Sequence, residues 1–450
     1  MKIYSARFIT ENQNEAYGYF SVDDKNKVHI RIESEDQATI DEFGNSQIIN
    51  CFCEYKSYFF IELVFLQKGA VLINNQASKL YYLELDSYAY AKGVNCFNLD
   101  DLKIESAVVP YNNLGVWYKG TKRIAIDYDK HLERLKQDFI GAHTVASYEI
   151  NDNVSLTLQV SGTQLVNFEE VFQVGFCCKT LKYSDYFEHI NHFGRFLSLM
   201  CNIKVEPQSP LTFFLGSGNF TMYRYKWVED EKIYPHNCIS FQELKSVFSE
   251  IIKNYYNKDN LFSTVQNIIF SLYIPNSTIG GSITQFLNYT KAIESLYSTK
   301  EIFDFTSVER TYRATITNIL DKLESADDRK FLDQKLSNAH RASFKMRLVQ
   351  FLTFEKPIFL QSDKDIDLFA KMLRDTRNYY THLITDDKFV IKEEYLSLVN
   401  IILLTFLVHQ LLYVYNNKND VEANFSVMNQ AISVFRKFTN GNLKTMCKGK

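Results

Sequence analysis

Residues 377–382 read Arg-Asn-Tyr-Tyr-Thr-His and combine two side chains that can cleave RNA. The imidazole of His382 can deprotonate a ribose 2′-hydroxyl or protonate the leaving 5′-oxygen. The guanidinium of Arg377 can hold the phosphate while negative charge builds on it. None of these steps needs a metal ion. Arg377 and His382 are therefore the candidate catalytic pair of this chain.

The pair lies at the end of a segment with helical periodicity. Ser362 is a suitable N-cap, and Asp365 follows three positions later, as in a capping box. Apolar residues then recur at helical spacing, and Arg377 falls about 20° from Ile366 on the apolar stripe. A guanidinium there must pair with a carboxylate, reach the edge of the bundle or face a wet cleft. The pattern predicts a helix over residues 365–380.

The spacing of the pair imposes a geometric constraint. Residues five apart are separated by about 140° around a regular helix, so Arg377 and His382 cannot share a face if the helix continues through both. Two arrangements remain open. Either the helix ends near Thr381, or the two side chains meet across an interface between subunits.

This Arg, followed by Asn and by a His five positions on, resembles the Arg-x4-His signature of the HEPN superfamily. HEPN domains are small helical domains that often act as metal-independent ribonucleases. The resemblance implies a composite site in which two domains pair and two arginines and two histidines line one cleft. It therefore implies a homodimer or a higher homo-oligomer, with no cofactor and no metal ion. Attack by the 2′-oxygen would leave a 2′,3′-cyclic phosphate and a 5′-hydroxyl.

The resemblance also points to a supporting carboxylate. HEPN domains commonly carry an acidic or polar residue on an earlier helix that orients the catalytic pair, and Glu294 is the candidate here. It falls about 20° from Ile283, on the flank of the apolar stripe of its helix. A carboxylate there needs a cationic partner, which Arg377 or Arg374 can supply. The alternative is an exposed glutamate without a role in the site.

Arg374 is a second candidate supporting residue, one turn before Arg377. It could extend a phosphate-binding surface. The alternative is a residue on a solvated flank that pairs with Asp375 or Glu294.

The remaining candidates lie inside the motif or near the end of the chain. Asn378 would orient the substrate or the motif itself. Tyr379 could stack a splayed base, as aromatic side chains often do in RNA recognition, whereas Tyr380 is expected in the core. Basic residues near the end of the chain could touch RNA phosphates, but this segment is expected to be mostly a frayed, solvated terminus. They are Arg436, Lys437, Lys444, Lys448 and Lys450.

Composition limits the class of protein. The chain has 450 residues, enough for two or three domains, and its hydrophobic content of 46% and charged content of 23% are typical of a soluble globular protein. The net charge of −3 gives no general attraction to nucleic acid, which argues against a bulk nucleic-acid coat protein. An enzyme with one local basic cleft is compatible with these values.

Residues 1–7 show no apolar segment and no cleavage site of a secretion signal. The most apolar run covers residues 401–408, whereas a membrane span needs about 20 predominantly apolar residues. We therefore expect a central bundle helix there, no membrane anchor and a cytoplasmic protein.

Eight cysteines occur without the paired CxxC pattern of a structural zinc site. Reduced and mostly buried thiols are expected. The one alternative metal site would combine Cys177 and Cys178 with His189 and His192.

The first half of the chain, residues 1–235, is predicted to be a β-rich domain because aromatic and β-branched residues partly alternate there. Residues 23–26 are a plausible hairpin turn. One helix is expected from Ser184 to about Met200. Strands are predicted over residues 17–22, 27–32, 48–55, 59–65, 80–85, 102–109, 123–128, 154–160, 171–178, 211–215 and 220–227.

From about Ser240 the pattern changes to the period of a helix, and the boundary is placed near residues 235–237. Residues 236–450 are therefore predicted to form an all-α domain. Helices are predicted over residues 241–256, 261–272, 283–297, 308–323, 331–351, 365–380, 392–415 and 421–438.

A wider resemblance covers most of the chain as architecture. Residues 17–20, Tyr-Gly-Tyr-Phe, a β-rich first half and an Arg-x4-His helix near the end together resemble the ApeA-like HEPN proteins of bacteria. These are abortive-infection defence proteins with a family-specific N-terminal domain. The implied fold is α+β, with a β-rich N-terminal domain followed by an all-α HEPN helical bundle.

The leading hypothesis is an RNA-cleaving HEPN effector of anti-phage abortive infection, with tRNA as one candidate substrate. The N-terminal half would restrain the toxic activity and sense infection through a phage-derived trigger. Two alternatives belong to other classes. One is a non-catalytic HEPN module for oligomerisation or partner binding. The other is a β-rich ligand receptor with a helical signalling half, in which Arg377 forms a structural ion pair.

Overall fold

The structure, a computed structural model, divides by its internal contacts into two compact units. The β-rich unit comprises Met1–Pro235 and Ser240–Gln242, and the helical unit comprises His236–Ile239 and Glu243–Lys450. The described residues are 3–24, 28–34, 36–45, 48–55, 58–65, 80–85, 87–91, 99–119, 143–163, 169–216, 218–224, 238–271, 281–299, 306–336, 343–355, 360, 362–382, 389–419, 425–439 and 442–448.

Within the described part of the β-rich unit, thirteen strands form one antiparallel sheet. The strands are β1 (Ile3–Ile9), β2 (Glu15–Val22), β3 (Val28–Glu33), β4 (Ile48–Tyr55), β5 (Tyr58–Phe65), β6 (Leu80–Leu85), β7 (Ser87–Ala91), β8 (Ile104–Pro110), β9 (His143–Asn151), β10 (Val154–Thr163), β11 (Glu169–Leu181), β12 (Leu211–Leu215) and β13 (Gly218–Arg224). Their order is β6-β3-β2-β1-β4-β5-β7-β13-β12-β8-β11-β10-β9. The helices are α1 (Gln37–Asn45), α2 (Leu114–Lys119) and α3 (Tyr183–Cys201).

Strand alternation builds one core of this unit. In β2, Tyr17 and Tyr19 are exposed, whereas Phe20 is buried on the opposite face. Gly18 lies between the tyrosines, and a Cβ at this position would collide with the carbonyl oxygen of Arg31 on the paired strand. The buried side chains of this core include Phe8, Phe20, Ile30, Ile32, Phe43 and Ile49.

A second core lies where α3 packs on β11 and β8. It is built largely from aromatic rings: Trp117 of α2 meets Phe193 and Phe196 of α3 edge-on. The buried hydroxyl of Tyr186 donates to the carbonyl oxygen of Ile104 at 3.2 Å, which ties α3 to β8. A chain rich in Phe and Tyr therefore fills its β-rich core with ring contacts.

The strand predictions largely match these elements. Ten of the eleven predicted strands overlap an observed strand, and the predicted strand over residues 123–128 lies outside the described residues. The expected hairpin joins β2 to β3, with Val22 opposite Val28. Residues 25–27 of its turn are not among the described residues. β1, β7, β9, α1 and α2 were not predicted, because short elements carry weak periodicity.

A short helix, α4 (Phe241–Leu244), lies at the boundary of the two units in sequence. The helical unit then contains α5 (Phe248–Ser271), α6 (Ser282–Leu296), α7 (Thr306–Leu320), α8 (Ala326–Leu336), α9 (Phe344–Phe354), α10 (Asp363–His382), α11 (Glu393–Tyr415) and α12 (Ser426–Thr439). A 3₁₀ turn follows at Leu443–Met446. The α+β class is as predicted.

The hydrophobic core of the helical unit is centred on α11, which packs against α5, α6 and α12. Among the described residues, α11 is the one helix long and apolar enough to cross a membrane by length and composition. However, 78% of that apolar stretch is buried inside the structure. This is the burial expected of the core helix of a bundle.

Three predicted helices were wrong in their boundaries. The helices predicted over 241–256 and 261–272 are largely one helix, α5, because the polar residues between them continue the helix. The helix predicted over 331–351 is instead two helices, α8 and α9, each with its own serine N-cap. Ser325 accepts from the Asp328 backbone at 3.2 Å, and Ser343 accepts from the Met346 backbone at 3.3 Å.

Candidate functional site

The helix that carries the candidate pair begins as predicted. The hydroxyl of Ser362 accepts a hydrogen bond from the backbone N–H of Asp365 at 3.2 Å and donates one to the Asp365 carboxylate at 2.6 Å. α10 then runs without interruption to His382. Its inner face is buried through Ile366, Phe369, Ala370, Met372, Leu373, Asp375 and Thr376.

Arg377 lies on this inner face and forms the ion pair that the sequence suggested. Its Nη2 lies 3.3 Å from Oε2 of Glu294 on α6, and the two side chains are 32% and 37% exposed. Its Cζ lies 5.0 Å from the ring centroid of Phe344 on α9. A pair this exposed contributes little to stability, about 0–1 kcal/mol. The contacts therefore orient the guanidinium without removing it from solvent.

Glu294 is held in turn by Arg347, a residue that the sequence analysis missed. Nη1 of Arg347 donates to the backbone carbonyl of Glu294 at 2.9 Å and also to the hydroxyl of Ser298. Arg347 lies three residues after Phe344 on α9, so both side chains lie on neighbouring positions of one helix face. The spacing of Phe344 and Arg347 was the only sign in the sequence that the two residues act together. It points to the site only once α9 is known to pack on α6 and α10.

A buried polar network fixes α9 against α11. The ring Nδ1 of His409 lies 3.0 Å from both carboxylate oxygens of Glu355, and neither side chain is exposed by more than 7%. Gln410 donates to Glu355 at 3.3 Å and accepts from the hydroxyl of Tyr297 at 2.6 Å. Burial raises the pKa of Glu355, although the contacts with His409 and Gln410 oppose that effect. The network therefore joins three helices, α6, α9 and α11, behind the site.

Arg374 pairs with its neighbour. Its Nε donates to Oδ1 of Asp375 at 2.7 Å, and Nη2 approaches the same oxygen. The Asp375 side chain is only 4% exposed, whereas that of Arg374 is 35% exposed. Of the alternatives open at the sequence level, the observed contact is the one with Asp375. Arg374 thus neutralises a buried carboxylate one turn before Arg377.

His382 is exposed at the last position of α10, with Asn378 half-buried one turn earlier. Because α10 continues through the motif, Arg377 and His382 of one chain lie about 140° apart around the axis. The described helix ends at His382, close to Thr381 as in the first of the two open arrangements, but it stays regular through the motif, so this end does not bring the two side chains to one face. Arg377 faces α6 and α9, while His382 faces solvent on another side.

The two motif tyrosines pack on each other and on the end of the described chain. The rings of Tyr379 and Tyr380 meet edge-on with centroids 5.0 Å apart. Nζ of Lys448 lies over the Tyr379 ring at 4.3 Å from its centroid. The expectation of a frayed terminus is wrong for residues 442–448, because Leu443, Met446 and Cys447 are buried there.

Among the described residues, no group of three or more His, Cys, Asp or Glu side chains could hold a metal ion. Cys177 is exposed and Cys178 is buried, as expected for neighbours on a strand. Burial lowers the pKa of His189, and it lowers the pKa of His192 to about 4. These four residues form no metal site, and the two histidines are neutral packing residues at pH 7.

Comparison with known proteins supplies the family. Residues 287–414 match the family model described as Apea-like HEPN, a region that contains Glu294, Arg377 and His382. No curated protein and no solved structure matches the chain at a significant level. The helical unit therefore contains an Apea-like HEPN domain, as the Arg-x4-His motif and the wider resemblance together predicted.

Proposed function

We propose that this protein is a metal-independent endoribonuclease whose active site is formed by Arg377 and His382. One observation carries the proposal: within an Apea-like HEPN domain, Arg377 is held half-exposed by Glu294 and Phe344, and His382 is exposed on the same helix. Burying part of a guanidinium on an apolar stripe costs free energy unless it is paired. A half-exposed, pre-oriented guanidinium suits binding of a phosphate.

The reaction would proceed by proton transfer and in-line attack. His382 takes the proton from the ribose 2′-hydroxyl, and the 2′-oxygen forms a bond to phosphorus. The bond from phosphorus to the 5′-oxygen breaks, and that oxygen takes a proton from water. Arg377 keeps N–H groups beyond those facing Glu294, and these can bind the phosphate oxygens as charge builds. The products are a 2′,3′-cyclic phosphate and a 5′-hydroxyl.

The site would be composite. The Arg377 of one chain and the His382 of a second chain would face the same phosphate in a two-fold pair of HEPN domains. Support comes from the unbroken α10, in which one chain directs the two side chains about 140° apart. Asn378, next to Arg377 and one turn before His382, would orient the motif or the substrate.

In the cell, the protein would act in the cytoplasm as a toxic effector of abortive infection against phage. RNA, with tRNA as a candidate, would be the substrate. The β-rich unit would restrain the helical unit until it meets a phage-derived trigger. The family match of the helical unit supports this role.

One observation favours a second candidate, a non-catalytic HEPN module that serves oligomerisation or partner binding. The contacts of Arg377 with Glu294 and Phe344 give the guanidinium a complete structural explanation as a helix-packing residue. In that case, substitution of His382 would change no activity.

Cleavage in the presence of a chelator tests the proposal. Purified protein incubated with tRNA and with total RNA in excess EDTA should cleave RNA and leave 2′,3′-cyclic phosphate ends. His382→Ala should abolish cleavage without loss of helical structure, because the side chain is exposed at a helix end. If the purified protein does not cleave RNA, the two proteins are instead compared in cells that express them and are infected with phage, which supplies the activated state. A wild type that arrests infected cells, with His382→Ala equally active in the same assay, would contradict the assigned mechanism.

A further inference from the structure

The segment of residues 442–448 is docked against the start of α11 by main-chain hydrogen bonds. The backbone N–H of Lys448 donates to the carbonyl of Val390 at 2.7 Å, and that of Lys392 donates to the carbonyl of Met446 at 2.8 Å. Ile391 and Cys447 form an antiparallel bridge between these two bonds. The position of Lys448 is thus set by paired backbone rather than by its own side chain.

The same docking site is tied to α10. The backbone N–H of Ile391 donates to the buried hydroxyl of Thr376 at 2.9 Å, one residue before Arg377. The segment therefore lies against the helix that carries the motif, in register with its last two turns. The buried side chains of Leu443, Met446 and Cys447 add apolar contact.

This arrangement fixes one ammonium group beside the motif. Nζ of Lys448 lies 4.3 Å from the ring centroid of Tyr379 and 5.4 Å from that of Tyr380. A cation over an aromatic face at these distances is attracted to the ring, and this attraction biases the side chain towards one position. Lys448 itself is exposed, and an ammonium has three N–H donors, so it can bind an anion while it rests on the ring.

Helix geometry relates this ammonium to His382. Tyr379 precedes His382 by three residues, so the two side chains are neighbours about 60° apart on the surface of α10. Arg377 of the same chain lies about 140° from His382. Lys448, in the segment of residues 442–448 of the same chain, therefore places a positive charge on the side of His382 where Tyr379 lies.

We propose that Lys448 binds an RNA phosphate next to the scissile one, and that Tyr379 positions the Lys448 ammonium for this contact. The proposal rests on the proposed ribonuclease function and adds a second phosphate contact to it. It also changes the role of Tyr379. One face of its ring is covered by Lys448, so this face holds a lysine rather than a splayed base.

The experiment measures RNA binding in the full-length His382→Ala protein, which cannot cleave its ligand if the proposed function is correct. Binding of fluorescently labelled tRNA and of a single-stranded oligoribonucleotide is followed over a range of KCl concentrations. Adding Lys448→Ala should weaken binding several-fold and reduce the slope of log K against log salt by about 0.7 on the single strand, the value for one lost phosphate contact. Lys448→Arg should restore both values.

Lys253→Ala is the matched control. Lys253 is also an exposed lysine of the helical unit, and its neighbour Asn254 donates to the carbonyl of Tyr415 at 2.8 Å, at the opposite end of α11 from Lys392. That separation is about 35 Å along the helix. This variant should leave the salt slope unchanged.

The outcomes separate the two proposals. If the His382→Ala parent binds RNA and Lys448→Ala binds with the same affinity and slope, the role of Lys448 is refuted while the ribonuclease proposal stands. If Lys448→Ala lowers binding only as far as it lowers the urea midpoint and the folded fraction, Lys448 is a structural latch and the inference is also wrong. If the parent binds no RNA and the wild type cleaves none, both proposals fail.

Discussion

Two arginines one turn apart on α10 should respond in opposite ways to truncation. Arg374→Ala removes the partner of a carboxylate that is only 4% exposed, whereas Arg377→Ala removes the partner of a carboxylate that is 37% exposed. We therefore predict that Arg374→Ala lowers stability more than Arg377→Ala, and that Arg377→Ala lowers RNA cleavage more than Arg374→Ala.

The magnitudes follow from burial. Leaving Asp375 without its cation costs about 3–5 kcal/mol if the pair behaves as a buried one, and about 1–3 kcal/mol if water reaches the exposed Arg374 side. The contacts of Arg377 with Glu294 and Phe344 are worth about 0.5–2 kcal/mol together. Loss of a group that stabilises developing charge typically lowers the rate of the catalysed reaction about 10²–10³-fold, and this is the effect expected on RNA cleavage for Arg377→Ala. Stability and activity should thus rank the two variants in reverse order.

Urea unfolding followed by far-UV circular dichroism gives the free energy of unfolding, and initial cleavage rates are compared at equal concentrations of folded protein. The double variant Arg374→Ala with Asp375→Asn is the control, since removing the charge of Asp375 should recover part of the lost stability. The reasoning is refuted if Arg377→Ala is the more destabilised variant and its cleavage falls only in proportion to the folded fraction. That result would assign Arg377 to helix packing.

Two further predictions concern assembly and pH. The protein that cleaves RNA should be a dimer or larger at micromolar concentration by mass measurement in solution, and a strictly monomeric protein with full activity would exclude the composite site. Because the pKa of Glu355 is raised in the folded protein, its protonated carboxyl contributes stability that is fully present below pH 4.5, the ordinary pKa of the group. This contribution is lost as the pH rises through the raised pKa. Glu355→Gln, which carries no titrating group, should therefore gain stability relative to the wild type as the pH rises above 4.5. Parallel stability curves for the two proteins would contradict this assignment.

The sequence predicted a feature correctly where the residues that define this feature lie within one helix. Ser362 and Asp365 predicted the start of α10, and the position of Arg377 relative to Ile366 placed it on the inner face. The partner Glu294 was a candidate because HEPN domains commonly carry an acidic residue on an earlier helix, and its position on the flank of its own helix required a cation. The inferences on Ser362, Asp365 and Arg377 need only the geometry of a regular helix and the cost of a buried charge.

The parts that were missed depend on contacts between distant segments. Arg347 supports Glu294 only because α9 packs on α6, and no spacing within α9 shows that contact. Residues 442–448 look like a solvated basic tail, but their backbone pairs with residues 390–392 and their apolar side chains are buried. Long-range pairing of this kind leaves no periodic trace in a short segment.

The continuity of α10 gives the strongest reason to regard assembly as part of the chemistry. A phosphate bound by Arg377 lies on the side of the helix that faces α6 and α9, where Glu294 and Phe344 hold the guanidinium. The His382 of the same chain leaves the helix about 140° away from Arg377, on another side of α10. In the proposed composite site, a second domain related by a two-fold axis would bring its own His382 to the phosphate and leave both helices intact. Under the proposed function, an isolated domain would bind RNA without cleaving it, so any event that brings two HEPN domains together would switch the activity on.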